Sequence, residues 1–269
     1  MPKTSSRRRF FQLSAFGIGG VAIASPVNKS LLNMPPPTGK KILLNLPPSL
    51  AKKQKIICLG AHPGDPEFGC GGTMAKYSAA GHDITFLYLT RGEAYDANIS
   101  HAEAAKKRTK EAETACRALK VTPRYFGQID GATVLNPEQN ESVLKLMRDE
   151  KPDLVFTQWP MDTHPDHQVA GMLALNAWTK MNRSFDLYFY EVNTGSETMT
   201  FVPTDYVDIT DFREKKKAAM WAHQTQDPEK TYNSFFKQME EFRGLEANVA
   251  AAEAFILYKS KDNRELRKD

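Results

Sequence analysis

The chain predicts an α/β fold: one Rossmann-like, mainly parallel sheet with helices on both faces, in a single domain. Three observations carry this. Short apolar runs such as Ile56–Ala61, Ile84–Thr90 and Leu154–Gln158 lack polar alternation, the mark of strands buried on both faces. Helical patterns lie between them, and strand-helix alternation builds a parallel sheet. Chemistry-bearing residues cluster directly after strands, where open α/β sheets form their sites.

Taken in order, residues 1–24 read as a cleavable twin-arginine export signal: Arg7-Arg8-Arg9-Phe10-Phe11, a mild apolar run from Ala15, and the small-residue pattern Ala22-Ile23-Ala24. The run is about half of the ~20 residues that span a bilayer, so no stable membrane insertion is expected once the signal is removed. This segment holds four basic residues and no acid, so the formal net charge of +4 falls to zero in the mature chain. The basic balance therefore belongs to the signal and excludes a nucleic-acid surface as its explanation. The expected address is periplasmic or extracellular. A Pro-rich linker (25–53) follows, then the domain (54–258) and a charged tail (259–269).

Within the domain, Ile56–Ala61 is the first strand, and Thr73–Ala80 a helix stopped by Gly81. Ile84–Thr90 is the second strand. Ser100 caps a helix with Glu103 three residues on, and Ala105, Thr109, Ala112, Cys116 and Leu119 line its apolar side. A strand near Arg124–Gly127, a helix Glu141–Arg148, the strand Leu154–Gln158, a helix after Asp166 and a strand Leu187–Val192 continue the series. Phe235, Met239, Phe242, Leu245, Val249, Ala252 and Phe255 predict a late helical core stripe, with Gly244 as the point where it could break. Cys58 and Cys116 read as small buried hydrophobes, and three unpaired-looking cysteines imply no disulfide framework.

Two clusters carry the chemistry. The first is Ala61-His62-Pro63-Gly64-Asp65-Pro66-Glu67, ending in Gly69, Gly71 and Gly72; the second is His164-Pro165-Asp166-His167. His62 and Asp65, together with His164 or His167, offer two imidazoles and a carboxylate, which leaves a position open for water as in hydrolytic zinc sites. The same donors also suit a ferrous facial triad. Asp166 is placed to hold a histidine tautomer. The glycines do not follow the dinucleotide spacing and are expected to let backbone approach closely around a metal. His82 and His101 are expected at the surface.

The His-Pro-x-Asp turn with its Gly-Gly helix start, followed about a hundred residues later by His-Pro-Asp-His, resembles the LmbE-like (PIG-L) de-N-acetylases. Thr90-Arg91-Gly92-Glu93, Gly127-Gln128-Ile129-Asp130-Gly131 and Ala222-His223-Gln224-Thr225-Gln226 extend the resemblance from about Lys55 to about Tyr258. The resemblance implies Zn2+ held by His62, Asp65 and His167, and His164 steadying an oxyanion or donating a proton with Asp166 orienting it. Arg91, Asp130 and Asp162 are then substrate-binding candidates for a small amino-sugar or glycoconjugate substrate. Gly64 departs from the pattern, because it stands where the family carries an acid that acts as general base. General acid–base help is worth ~10²–10⁴ in rate, so either a slow or differently assisted hydrolase or a metal- and glycan-binding descendant is expected.

Overall fold

A computed structural model describes residues 52–192 and 200–259. The expected export signal, nearly all of the linker and the tail beyond residue 259 lie outside the described residues.

In chain order the elements are β1 (Lys55–Gly60), α1 (Asp65–Ala79), β2 (Asp83–Tyr88), α2 (His101–Leu119), β3 (Thr122–Tyr125), α3 (Pro137–Glu150), β4 (Leu154–Gln158) and α4 (Pro165–Lys180). There follow β5 (Asp186–Tyr190), β6 (Asp205–Asp208), α5 (Arg213–Met220), α6 (Pro228–Thr231), α7 (Lys237–Ala247) and β7 (Ala252–Lys259). The described strands make one sheet in the order β3-β2-β1-β4-β5-β7-β6. β1 to β5 are parallel, and β7 runs antiparallel between β5 and β6.

Successive residues of the central strands point to opposite faces, and both faces are covered. Ile56 and Cys58 join Met74, Tyr77, Ala112 and Ala219 beneath α1, α2 and α5. Ile57 and Leu59 join Val143, Met147, Leu173 and Ala177 beneath α3 and α4. That double burial is why these strands read as unbroken apolar runs. Connections from β1 and β4 leave toward opposite sides of the sheet, so the crevice between their carboxyl ends is the topological switch point.

Several expectations are corrected. α1 begins at Asp65 rather than Thr73, because Pro66 is tolerated in a helix's first turn and Glu67 Oε2 accepts the Gly64 N–H (3.1 Å). The helix kinks at Cys70 (φ −145°). Its second half is capped from across the fold, with Glu253 on β7 accepting from Gly72 N (2.9 Å) and Thr73 N (2.7 Å). The glycine run serves close packing, not approach to a metal: a Cβ on Gly69 would run into the Tyr190 ring on β5, and one on Gly72 would lie 2.8 Å from Cγ2 of Ile209, just after β6. The late stripe is not one helix. Asn248 (φ +58°) ends α7, and Ala252 and Phe255 belong to β7. Phe235, Phe242 and Leu245 are exposed. His82 is buried, with Nδ1 accepting from Gln54 N (3.1 Å). His101 is exposed, and Cys58, Cys70 and Cys116 are free and buried.

Candidate metal centre

The two sequence clusters meet at the β1/β4 crevice. His62 leaves β1 and Asp65 opens α1; His164 caps α4, and His167 lies one turn into it. Asp65 Oδ2 lies 3.2 Å from His62 Nδ1 and 3.6 Å from His167 Nε2. His62, His164 and His167 each present a ring nitrogen within 4.8 Å of the others. The His164 ring stacks on His167 with centroids 4.5 Å apart.

The outer nitrogens of the two histidines beside Asp65 are both held by carboxylates. His62 Nε2 lies 3.0 Å from Asp166 Oδ2 and 3.1 Å from Asp130 Oδ1. His167 Nδ1 lies 3.1 Å from Asp162 Oδ2. This is the support that metal-binding histidines characteristically have, fixing tautomer and ring orientation. Asp166 is itself fixed by Gly131 N (2.8 Å) and Thr133 Oγ1 (2.6 Å), and Asp130 by Ala94 N (3.0 Å).

Charge around these rings runs in the same direction. Burial opposes charging of His62, but Asp65, Asp130 and Asp166 outweigh it and raise its pKa well above the ordinary value. Asp65 and Asp166 are buried, which alone would raise them; His167 and His62 at the first, and His62, Thr133 and Gly131 at the second, hold both carboxyls well below the usual range. Asp130 is lowered in the same way by His62. Carboxylates at both nitrogens of one imidazole demand positive charge between them. Mixed nitrogen and oxygen donors with open space beside them suit a divalent cation such as zinc, so the residues fit the group.

His164 differs. Its Nδ1 accepts from Asp166 N (3.2 Å), and burial together with His167 and His62 lowers its pKa. It is therefore a neutral ring whose proton sits on Nε2. Asp166 orients it through this backbone N–H, while the Asp166 carboxylate is spent on His62.

A pocket of about 490 Å³ opens over the cluster, lined by His62, Asp65, Asp130, His164 and His167 together with Phe68, Tyr95, Arg108, Phe235 and Phe236. Two expected substrate contacts are not in it. Arg91 is exposed and lies over the Tyr125 ring, 5.2 Å from its centroid. Asp162 is 1% exposed behind His167, where Oδ1 also accepts from His164 N (2.8 Å). Arg108 was not singled out in the sequence, and His223 was named there only within a motif, without a role. Arg108 reaches the pocket from α2, donates to the Pro63 carbonyl and lies 5.6 Å from the Tyr95 ring centroid. His223 is fully buried beneath Gly64 and Phe68, with Nε2 2.9 Å from Glu67 Oε1. Its Ala222-His223-Gln224-Thr225-Gln226 segment was visible in the sequence; its partner, 156 residues away, was not.

Residues 57–178 match the family described as PIG-L: GlcNAc-PI de-N-acetylase. Diacetylchitobiose deacetylase of Thermococcus kodakarensis is 31% identical over 193 residues, covering 65% of this chain and 71% of that protein. The 1D-myo-inositol 2-acetamido-2-deoxy-alpha-D-glucopyranoside deacetylase of Salinispora arenicola is 27% identical, covering 75% of this chain and 86% of that protein. Among solved structures, N,N'-diacetylchitobiose deacetylase from Pyrococcus horikoshii superimposes with a TM-score of 0.70 at 26% identity, covering 83% of this chain and 92% of that one.

Proposed function

Because the chain belongs to the PIG-L (LmbE-like) family, whose related members are deacetylases, we propose that it is an exported zinc-dependent N-deacetylase acting on an N-acetyl amino sugar or related amide. The observation that carries the reading is the convergence of His62, Asp65 and His167, with the outer nitrogens of both histidines fixed by Asp130, Asp166 and Asp162. These three residues hold the metal. Zinc, when bound, supplies a water acidified toward a pKa of ~7 and a Lewis acid for the acyl oxygen.

The remaining chemistry belongs to the protein. His164 keeps its Nε2 proton for the oxygen that becomes negative as the acyl carbon turns tetrahedral. Asp130 and Arg108 give polar anchors at the pocket wall, and Tyr95, Phe68 and Phe235 give flat apolar faces against which a sugar ring can lie. The volume lies in the range of small-ligand pockets. Export rests on the twin-arginine segment. Among the described residues no helix is long and apolar enough to cross a membrane.

The test is acetate release from N-acetylglucosamine and its dimer by the chelated and the zinc-reloaded protein. Turnover that returns with zinc and drops ~10²–10³-fold in His164→Gln, the usual loss for one oxyanion donor, supports the reading. A second reading, a metal- and glycan-binding protein of weakened activity, is favoured by Gly64, which brings no side chain to the site. Glycan binding at full zinc occupancy with no acetate released would decide for it.

A further inference from the structure

The pocket over the metal centre has two unlike walls. On one, Ala94 N donates to Asp130 Oδ2 (3.0 Å), and the Arg108 guanidinium lies 5.6 Å from the Tyr95 ring centroid. On the other, the Phe68 and Phe236 rings meet edge to face with centroids 5.2 Å apart, and Val192 packs against them. These residues and Phe235 line the same pocket.

The apolar wall begins at the metal loop. Gly64 lies between His62 and Asp65 in the chain and lines the pocket beside Phe68. A Cβ built on it would lie 3.8 Å from Phe68 Cζ, an ordinary contact, so a carbon-sized group fits against that ring. Position 64 thus brings no side chain, charged or neutral, to the start of this wall. At the far end, one turn of π-helix, Tyr232–Phe236, precedes α7, and its last two residues, Phe235 and Phe236, both reach the pocket. Such turns recur at functional sites. Phe236 is buried, whereas Phe235 is 42% exposed, at the mouth.

Bonding at the reacting carbon assigns the two walls. An acyl carbon held at the metal carries an oxygen, a nitrogen bearing the sugar, and a hydrocarbon group. The oxygen belongs to the metal and His164. Sugar hydroxyls need the hydrogen-bonding wall of Asp130 and Arg108, because polar groups buried without partners are costly. The hydrocarbon is left facing Phe68, Phe236 and Phe235, and a methyl group would cover little of that surface.

We propose that the acyl group removed is longer than acetyl, a short straight fatty-acyl chain laid along Phe68, Phe236 and Phe235. This rests on the deacetylase reading and names its acyl group. The oxygen of water bonds to the acyl carbon and the C–N bond breaks; one hydrogen of that water ends on the amine and the other on the acid. The products are a short-chain fatty acid and the free amino sugar, and no other reactant is needed.

The test gives the zinc-loaded protein N-acetyl-, N-butyryl- and N-hexanoylglucosamine and measures the glucosamine released. Each methylene taken out of water is worth about fourfold in kcat/KM, so the butyryl amide should exceed the acetyl amide by ~10-fold. Phe235→Ala should lower the hexanoyl-to-acetyl ratio of kcat/KM by at least ~4-fold, the worth of one methylene. Because the ratio compares two substrates on one protein, partial unfolding of the variant does not move it. An acetyl amide hydrolysed as fast as the longer ones overturns the proposal and leaves the hydrolase standing. So does a ratio unchanged in Phe235→Ala, as expected if the aromatic wall holds the sugar ring instead. A zinc-loaded wild type that releases glucosamine from none of the three overturns the deacetylase reading, and this proposal with it.

Discussion

Asp162→Asn separates holding a metal from touching a substrate. Asp162 is 1% exposed; its Oδ2 faces His167 Nδ1 at 3.1 Å, and its Oδ1 accepts from His164 N at 2.8 Å. An asparagine has one oxygen for these two donors. If that oxygen stays with the backbone N–H, the amide NH₂ faces His167 Nδ1. The ring must then carry its proton on Nε2, the nitrogen nearest Asp65, where a proton blocks ligation. If the amide flips, two N–H groups face each other at His164. Loss of such support costs 10–100-fold in metal affinity, which is ~1.4–2.7 kcal/mol. Zinc titration against a chromophoric chelator should show the Kd rising by that factor. At saturating zinc the turnover should return to within about threefold of wild type, because Asp162 does not line the pocket. An unchanged Kd with a raised KM would refute the reasoning and restore Asp162 as a substrate contact.

Other outcomes can be measured on the same protein. Lys216 Nζ sits between Glu240 (3.0 Å) and Glu253 (2.7 Å), all three buried, so Lys216→Met should cost ~3–5 kcal/mol in denaturant unfolding by stranding two carboxylates. Gly64→Ala should cost ~1–3 kcal/mol from backbone strain at φ +107° rather than from crowding, and urea melts report it. In metal-free protein the raised His62 pKa gives stability that is complete below pH ~6.5 and lost as pH climbs through the elevated folded value. The depressed Asp130 and Asp166 give stability present above pH ~3.9 and lost as pH falls. Melting temperatures after chelation should thus peak between about pH 4 and 6.5. Replacing both Arg8 and Arg9 by Lys should leave the precursor inside the cell, visible by fractionation.

The central strands were legible because Ile56–Ala61 and Leu154–Gln158 are buried on both faces and carry that burial as unbroken apolar runs. The capped start of α2 was legible because Ser100 Oγ does accept from Glu103 N (3.2 Å). The metal-binding candidates could be named since both clusters follow strands at one edge. What failed depends on contacts between distant segments. A helical period runs through Phe235, Phe242 and Phe255, and Gly244 was the break it suggested, yet α7 runs through Gly244 and stops at Asn248 in the left-handed region. α1 begins early because Glu67 reaches back to Gly64, a bond that single-residue propensities do not contain. Arg91 was singled out by its Thr90-Arg91-Gly92-Glu93 motif, and Arg108 was not. Only the packing of α2 decides that the second faces the pocket while the first lies over Tyr125.

The cap that Glu253 places on Gly72 and Thr73 has a consequence for how the protein is born. The helix carrying Asp65 is pinned by β7, the last described strand to leave the ribosome, and β7 must slot between β5 and β6 to get there. A nascent chain that ends before Ala252 therefore holds both histidine clusters but lacks the clamp that steadies them. Pulse-labelled truncations stopping at residue 251 should capture zinc poorly, and those reaching residue 259 should capture it well. On the proposed export of an already folded chain, metal capture would come only after β7 has been made.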